Sequence, residues 1–114
     1  MSTRGETAEL LAAQYLSNQG LKLLKRNYRC RHGEIDLILQ DGDTLVFAEV
    51  RLRSHNHYGG AAASINAAKQ KRLIRTAQHY LATLGYTPPC RFDALLFHNL
   101  DNGWPEWIRN AFTA

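Results

Sequence analysis

Glu34-Ile35-Asp36-Leu37-Ile38-Leu39-Gln40-Asp41-Gly42-Asp43-Thr44-Leu45-Val46-Phe47-Ala48-Glu49-Val50-Arg51 is the stretch that decides how this chain folds. Two apolar runs flank Asp41-Gly42, and a turn dipeptide between two such runs predicts a β-hairpin. Side chains alternate faces along a strand, so Glu34, Asp36, Ile38 and Gln40 share one side, and Ile35, Leu37 and Leu39 the other. Phe47, Glu49 and Arg51 likewise share a face opposite Val46, Ala48, Val50 and Leu52. A two-residue Asp41-Gly42 loop pairs Gln40 with Asp43, Asp36 with Phe47 and Glu34 with Glu49. Asp36 and Glu49 are then diagonal neighbours, about 7–8 Å apart at Cα. Acids opposed across a hairpin repel one another. Either the face is solvated, with Arg51 and Arg53 as counter-charges, or a hard cation such as Mg²⁺ or Mn²⁺ draws the carboxylates together. A three-residue loop would send the two acids to opposite faces.

Working outward, residues 21–29 read as a preceding strand, joined to the strand at 34–40 through Arg31-His32-Gly33, and the hairpin's second strand covers 43–53. Upstream, Thr3-Arg4-Gly5-Glu6 fits a capping box, followed by a helix to about Gln19 with Gly20 as its stop. Ala8, Leu11, Ala12, Tyr15 and Leu16 form its buried stripe. A polar loop over 54–60 leads to a second helix at 64–84, closed by Gly85. A strand at 90–98, a turn at Asp101-Asn102-Gly103 and a final element of unassigned type at 105–112 complete the chain. The order α-β-β-β-α-β describes an α/β fold, a mixed sheet flanked by helices, with its first three strands antiparallel.

The chain has 114 residues, 45% apolar and 21% charged, which predicts one domain over 1–114 with a core that needs no disulfide or metal staple. No apolar stretch approaches the ~20 residues that span a bilayer. Two cysteines, Cys30 and Cys90, make no disulfide framework, and the expected location is the reducing cytoplasm. Cys30 and His32 lack the paired spacing of a zinc site.

Glu9 lies seven positions before Leu16, roughly 20° away around the helix, at the margin of the apolar stripe. On the second helix Leu73, Ala77, Tyr80, Leu81 and Leu84 define the packing face. Extended towards the N-terminus, that face takes in Asn66 and Gln70, with Lys69 at its edge. A buried amide such as Gln70 needs partners: a phosphate, a metal-bound water or a sheet edge. Lys71, Arg72 and Arg75 lie mainly on the opposite face, as a solvated charge run or a binding surface.

Gly5-x-x-x-Glu9, Arg26-Asn27-Tyr28-Arg29, Gly33-Glu34-Ile35-Asp36-Leu37-Ile38, Val46-Phe47-Ala48-Glu49-Val50-Arg51, Lys69-Gln70 with Ala77 and Tyr80-Leu81, and Arg91-Phe92-Asp93 resemble the YraN family of small bacterial proteins. That family is similar to the PD-(D/E)xK nuclease superfamily, closest to Holliday junction resolvases. The resemblance implies a restriction-endonuclease-like core of order α-β-β-β-α-β. It implies that Asp36, Glu49 and Glu9 hold Mg²⁺ or Mn²⁺, with Gln70 on the helix after the core strands as a further catalytic residue. Arg51 falls in the slot that usually holds lysine. A guanidinium supplies charge there but is a poor proton acceptor, and Lys69 is the candidate replacement ammonium. The implied reaction is metal-dependent hydrolysis of DNA phosphodiesters, with branched DNA as a substrate class. A homodimer accompanies the likeness to resolvases, because a two-strand cut requires a second copy.

Fourteen Lys and Arg against ten acids give +4, and residues 22–75 alone contain eleven bases and five acids. That distribution supports a nucleic-acid partner contacted by Arg53, His57, Lys69, Lys71 and Arg72, with salt-dependent affinity, and the resemblance implies that it is DNA. Two other functions fit the sequence. One is a non-catalytic nucleic-acid-binding protein that retains the nuclease fold. The other is a protein adaptor using Trp104 and Trp107, which depends on those rings being exposed.

Overall fold

A computed structural model describes residues 4–52, 65–98 and 103–113. The chain forms α1 (Arg4–Asn18), β1 (Lys22–Cys30), β2 (Gly33–Asp41), β3 (Thr44–Leu52), α2 (Ala67–Leu81), β4 (Cys90–Phe97) and β5 (Glu106–Phe112). The five strands lie in the order β1-β2-β3-β4-β5. Only β3 and β4, joined through α2, run parallel; the other neighbours are antiparallel. The expected α/β core is present, extended by β5, which settles the unassigned element as an edge strand.

Among the described residues, one helix covers each sheet face. Ala8, Ala12, Ala13 and Leu16 of α1 pack on Leu37, Leu39, Val46, Ala48, Leu95 and Phe97. Leu73 and Ala77 of α2 pack on Ile35, Ile38, Leu45, Phe47, Phe92 and Ala94. Strand alternation explains both sets except Ile35, which was expected beside Leu37 and instead lies under α2. The cause is local. The β1–β2 ladder pairs Arg26 with Leu37 and Tyr28 with Ile35, passing over Asn27 and Asp36. Asn27 adopts φ 53°, so the strand does not alternate regularly there.

Helix ends follow their local chemistry. At the end of α1, Leu21 N–H donates to the Leu16 carbonyl at 3.0 Å around Gly20, whose φ of 96° suits glycine. Asn66 caps α2, its side chain accepting from Lys69 N–H at 2.9 Å, and so serves as a cap rather than as part of the packing face. The helix is correspondingly shorter than the predicted 64–84. Thr3 of the capping box and Ser64 lie outside the described residues.

The hairpin differs from expectation by two residues. Asp41 pairs with Thr44, so Gly42-Asp43 is the loop, and Gly42 takes the positive φ of 60° at its first central position. That is the position a type II′ turn reserves for glycine. A shift of two preserves parity, so Asp36 and Glu49 remain on matching positions.

On the α1 face, buried Asp93 joins β4 to β5. It accepts from the Trp107 indole at 3.0 Å, Asn110 N–H at 3.1 Å and Arg91 Nε at 3.1 Å. Arg91 also reaches Asp41 at 2.9 Å, tying the hairpin to β4. Trp107 is thus tied to β4 and half-buried against the core, whereas Trp104 is 57% exposed beside Tyr15. Among the described residues, no helix is long and apolar enough to cross a membrane.

Candidate functional site

β2 and β3 pair from Asp41–Thr44 to Leu37–Ala48 and no further. One step on in the same register, Asp36 faces Glu49 directly, closer than the diagonal placement expected from an Asp41-Gly42 loop. Val50 N–H, which a continuing ladder would direct elsewhere, donates to Asp36 Oδ2 at 2.9 Å. Asp36 therefore occupies a break in the sheet between its two layers, where helices from both sides reach it.

From α1 comes Glu9, hydrogen-bonded to Asp36 and to the Asn27 amide. Its Oε1 is buried and has no hydrogen-bond partner. From the start of β2 comes Glu34, paired with Arg29 Nε at 2.8 Å. Glu9, Glu34 and Asp36 each offer a carboxylate oxygen within 4.8 Å of the others. Glu49 projects to the α2 side, 5% exposed, and hydrogen-bonds Asp36. Lys69 Nζ on α2 lies 3.3 Å from its Oε2. Gly33, Glu34, Asp36, Glu49, Lys69, Arg72 and Leu73 line a pocket of about 250 Å³.

Burial, reinforced by the crowding of like charges, sets the protonation here. Burial, then the hydrogen bond and negative charge of Asp36, push Glu49 up to about 8, with Lys69 opposing. Burial and the Asp36 charge also raise Glu9, opposed by the Asn27 amide. Carboxyls whose burial and acidic neighbours favour the protonated form are groups a divalent cation would ionise. The donor set is all oxygen, suited to a hard cation, and the partnerless Glu9 Oε1 is an oxygen that such an ion would satisfy.

Of the residues singled out in the sequence, Asp36 meets Glu9 on one side and Glu49 on the other, Glu49 standing outside the Glu9–Glu34–Asp36 group and Glu9 outside the pocket lining, and Lys69 and Arg72 line the pocket. Arg51 shares the strand face of Glu49 but is not part of the pocket lining, and neither is Gln70. Gln70 Nε2 donates to the Ile65 carbonyl at 2.9 Å, which fixes the segment entering α2. Lys71 is exposed on the outer face of α2. Arg53 and His57 lie outside the described residues.

Glu34, which regular alternation places on the strand face of Asp36, joins it in the cluster. One participant was missed. Asn27 was quoted only as part of a motif, yet its side chain orients Glu9 and its left-handed backbone accompanies the sheet break. An asparagine inside a strand pattern was the available signal, since Asn tolerates this conformation better than most residues.

A sequence profile described as uncharacterised protein family UPF0102 matches residues 8–97, a span that holds every member of the cluster. A UPF0102 protein of Methylobacillus flagellatus is 55% identical over 114 residues, the full length of both chains. A UPF0102 protein of Nitrosomonas europaea is 60% identical over 109 residues, covering 96% of this chain and 92% of its own. One from a Janthinobacterium species is 54% identical over 110 residues, 96% of this chain and 87% of its own.

Proposed function

The chain belongs to the UPF0102 family, the YraN family of the sequence resemblance, and from its site we propose that it is a metal-dependent endonuclease acting on DNA, with branched DNA as the favoured substrate. The observation that carries this reading is the placement of Asp36 at a break in the sheet, with Glu9, Glu34 and Glu49 around it and Lys69 and Arg72 at the pocket.

In this reading Asp36 and Glu49, with Glu9, hold Mg²⁺ or Mn²⁺, and Glu34 adds a fourth carboxylate. A divalent ion bound there neutralises the phosphoryl oxygens and acidifies an attacking water. Asp36 is anchored by Val50 N–H and Glu9 by Asn27, so both ligands are oriented before substrate arrives. Lys69 takes the part usually played by the lysine of the Arg51 slot. Its ammonium, 3.3 Å from Glu49, opens onto the same pocket and can hydrogen-bond a phosphoryl oxygen or the attacking water. Arg72 offers a second cation at the pocket. Cys30 and Cys90 are free thiols, in keeping with a cytoplasmic site of action, and a cut on both strands of a junction calls for two copies.

Cleavage of single-stranded, duplex and four-way DNA with Mg²⁺ or Mn²⁺ tests this. The wild type should cut in the presence of either ion, chelation should stop it, and the Asp36→Ala, Glu49→Ala double variant should be inactive. Cleavage that survives chelation or the double substitution would overturn the proposal. Salt-sensitive DNA binding without turnover under any divalent ion would leave the fold as a binding module, the reading that Arg51 in the lysine slot favours.

A further inference from the structure

Neither β1 nor α2 contains an acidic residue: their sequences are KLLKRNYRC and AAKQKRLIRTAQHYL. At about 100° per residue, Lys69, Arg72, Arg75 and His79 fall within a third of the circumference of α2. That flank faces the β1–β2 end of the sheet. A Cβ on Gly33 would lie 3.6 Å from Arg72 Cβ, and the Tyr28 hydroxyl is 2.6 Å from His79 Nδ1. Lys25 Nζ lies over the Tyr28 ring, 5.6 Å from its centre. The series starts at the pocket with Lys69 and Arg72 and reaches His79 and Lys25, both held against Tyr28 at the seam, while exposed Arg75 lies between Arg72 and His79 along the helix, on its solvent side. Glu34, the acid at its pocket end, is paired with Arg29.

We propose that this seam between β1 and α2 is a track for the phosphodiester backbone of DNA, leading one strand to the carboxylate pocket, with Lys25, Arg75 and His79 as its contacts beyond the pocket. The proposal deepens the nuclease reading and rests on it. From Lys69 to His79 the helix rises about 15 Å, a distance over which one strand of a duplex presents about four phosphates. Phosphate contacts of this kind set position and affinity without reading sequence.

His79 contributes differently from the two permanent cations. The Tyr28 phenol keeps its proton, burial pushing it up. In the tautomer whose Nδ1 accepts from that hydroxyl, the ring hydrogen sits on Nε2, on the opposite side of the ring, as a donor to a phosphate oxygen. Tyr28 is thus a positioning residue acting through His79.

Fluorescence anisotropy of a labelled DNA duplex, in Ca²⁺ and over a range of salt, tests the track. The Lys25→Gln, Arg75→Gln double variant should bind more weakly, with the slope of log K against log salt shallower by about 1.8, the loss of two phosphate contacts. Arg109→Gln, which removes a cation stacked on Trp107 at 4.0 Å on the α1 face, should leave the slope unchanged. Tyr28→Phe should weaken binding at every salt concentration without altering the slope, because no charge is lost. A double variant with the wild-type slope, or an Arg109→Gln variant that loses as much, would overturn the track alone. A wild type that binds no DNA would overturn the track and the nuclease reading together.

Discussion

Asn27 takes up a left-handed conformation, φ 53°, in the interior of a strand, and its amide hydrogen-bonds Glu9 across the sheet break. The two roles separate by substitution. Asn27→Gly keeps the backbone comfortable and loses the amide, whereas Asn27→Ala loses both. Urea denaturation should find the alanine variant less stable than the glycine variant by about 1–2 kcal/mol, the cost of a left-handed residue carrying a Cβ. Calorimetric titration should find Mn²⁺ binding weakened in both, because Glu9 is no longer oriented. Equal stability of the two variants would remove the backbone role, and wild-type Mn²⁺ affinity in both would remove the orienting one. Lys69 is a second residue with a separable effect. Its replacement by Ala should lower the cleavage rate and raise the pH at which Mn²⁺ binds, since its charge opposes the upward shift of Glu49.

Between elements, Asp93 links β4, β5 and, through Arg91, the hairpin. Asp93→Ala leaves Arg91 and the Trp107 indole without a buried acceptor and should cost about 3–5 kcal/mol in urea unfolding, with Mn²⁺ affinity unchanged once the variant is folded. The amino-acid pattern exposed much of this level of organisation. Apolar periodicity located both helices, and strand alternation kept Asp36 and Glu49 at matching parity. The hairpin register was ambiguous because Asp41-Gly42 and Gly42-Asp43 are both acceptable two-residue loops, and they differ by two positions that leave parity intact. Ile35 was misplaced because alternation assumes an unbroken ladder, and the break at Asn27 and Asp36 is a tertiary feature. Lys69 could be seen at the edge of a helical face, but which acid it would meet depends on how α2 sits over β3, and spacing within α2 does not contain that.

For the whole molecule, the charge balance of +4 understates the contrast between an acidic pocket and the basic seam beside it. Glu9, Glu34 and Asp36 held together, with Glu49 against Asp36, disfavour the metal-free fold when ionised, and the protonation of Glu49 relieves this. The folded chain keeps that proton up to about pH 8, whereas the unfolded chain releases it near the ordinary 4.5. The associated stability is complete below pH 4.5 and is lost progressively as pH rises to about 8. Thermal unfolding in chelator should show that decline, and Mn²⁺ should reverse it. A metal-free protein whose stability rose over this window would contradict the assigned environment of Glu49. Because the ion displaces the proton, apparent Mn²⁺ affinity should increase about tenfold per pH unit below 8.

The chemistry of this site turns on a metal centre formed by the acids around Asp36. Isothermal titration of the wild type and of folded Asp36→Ala with Mn²⁺ near pH 7, in two buffers of different ionisation enthalpy, addresses it most directly. One-to-one binding to the wild type with about one proton released, and loss of that binding in Asp36→Ala, is the expected result. No binding to the wild type, or equal binding to the variant, would contradict it.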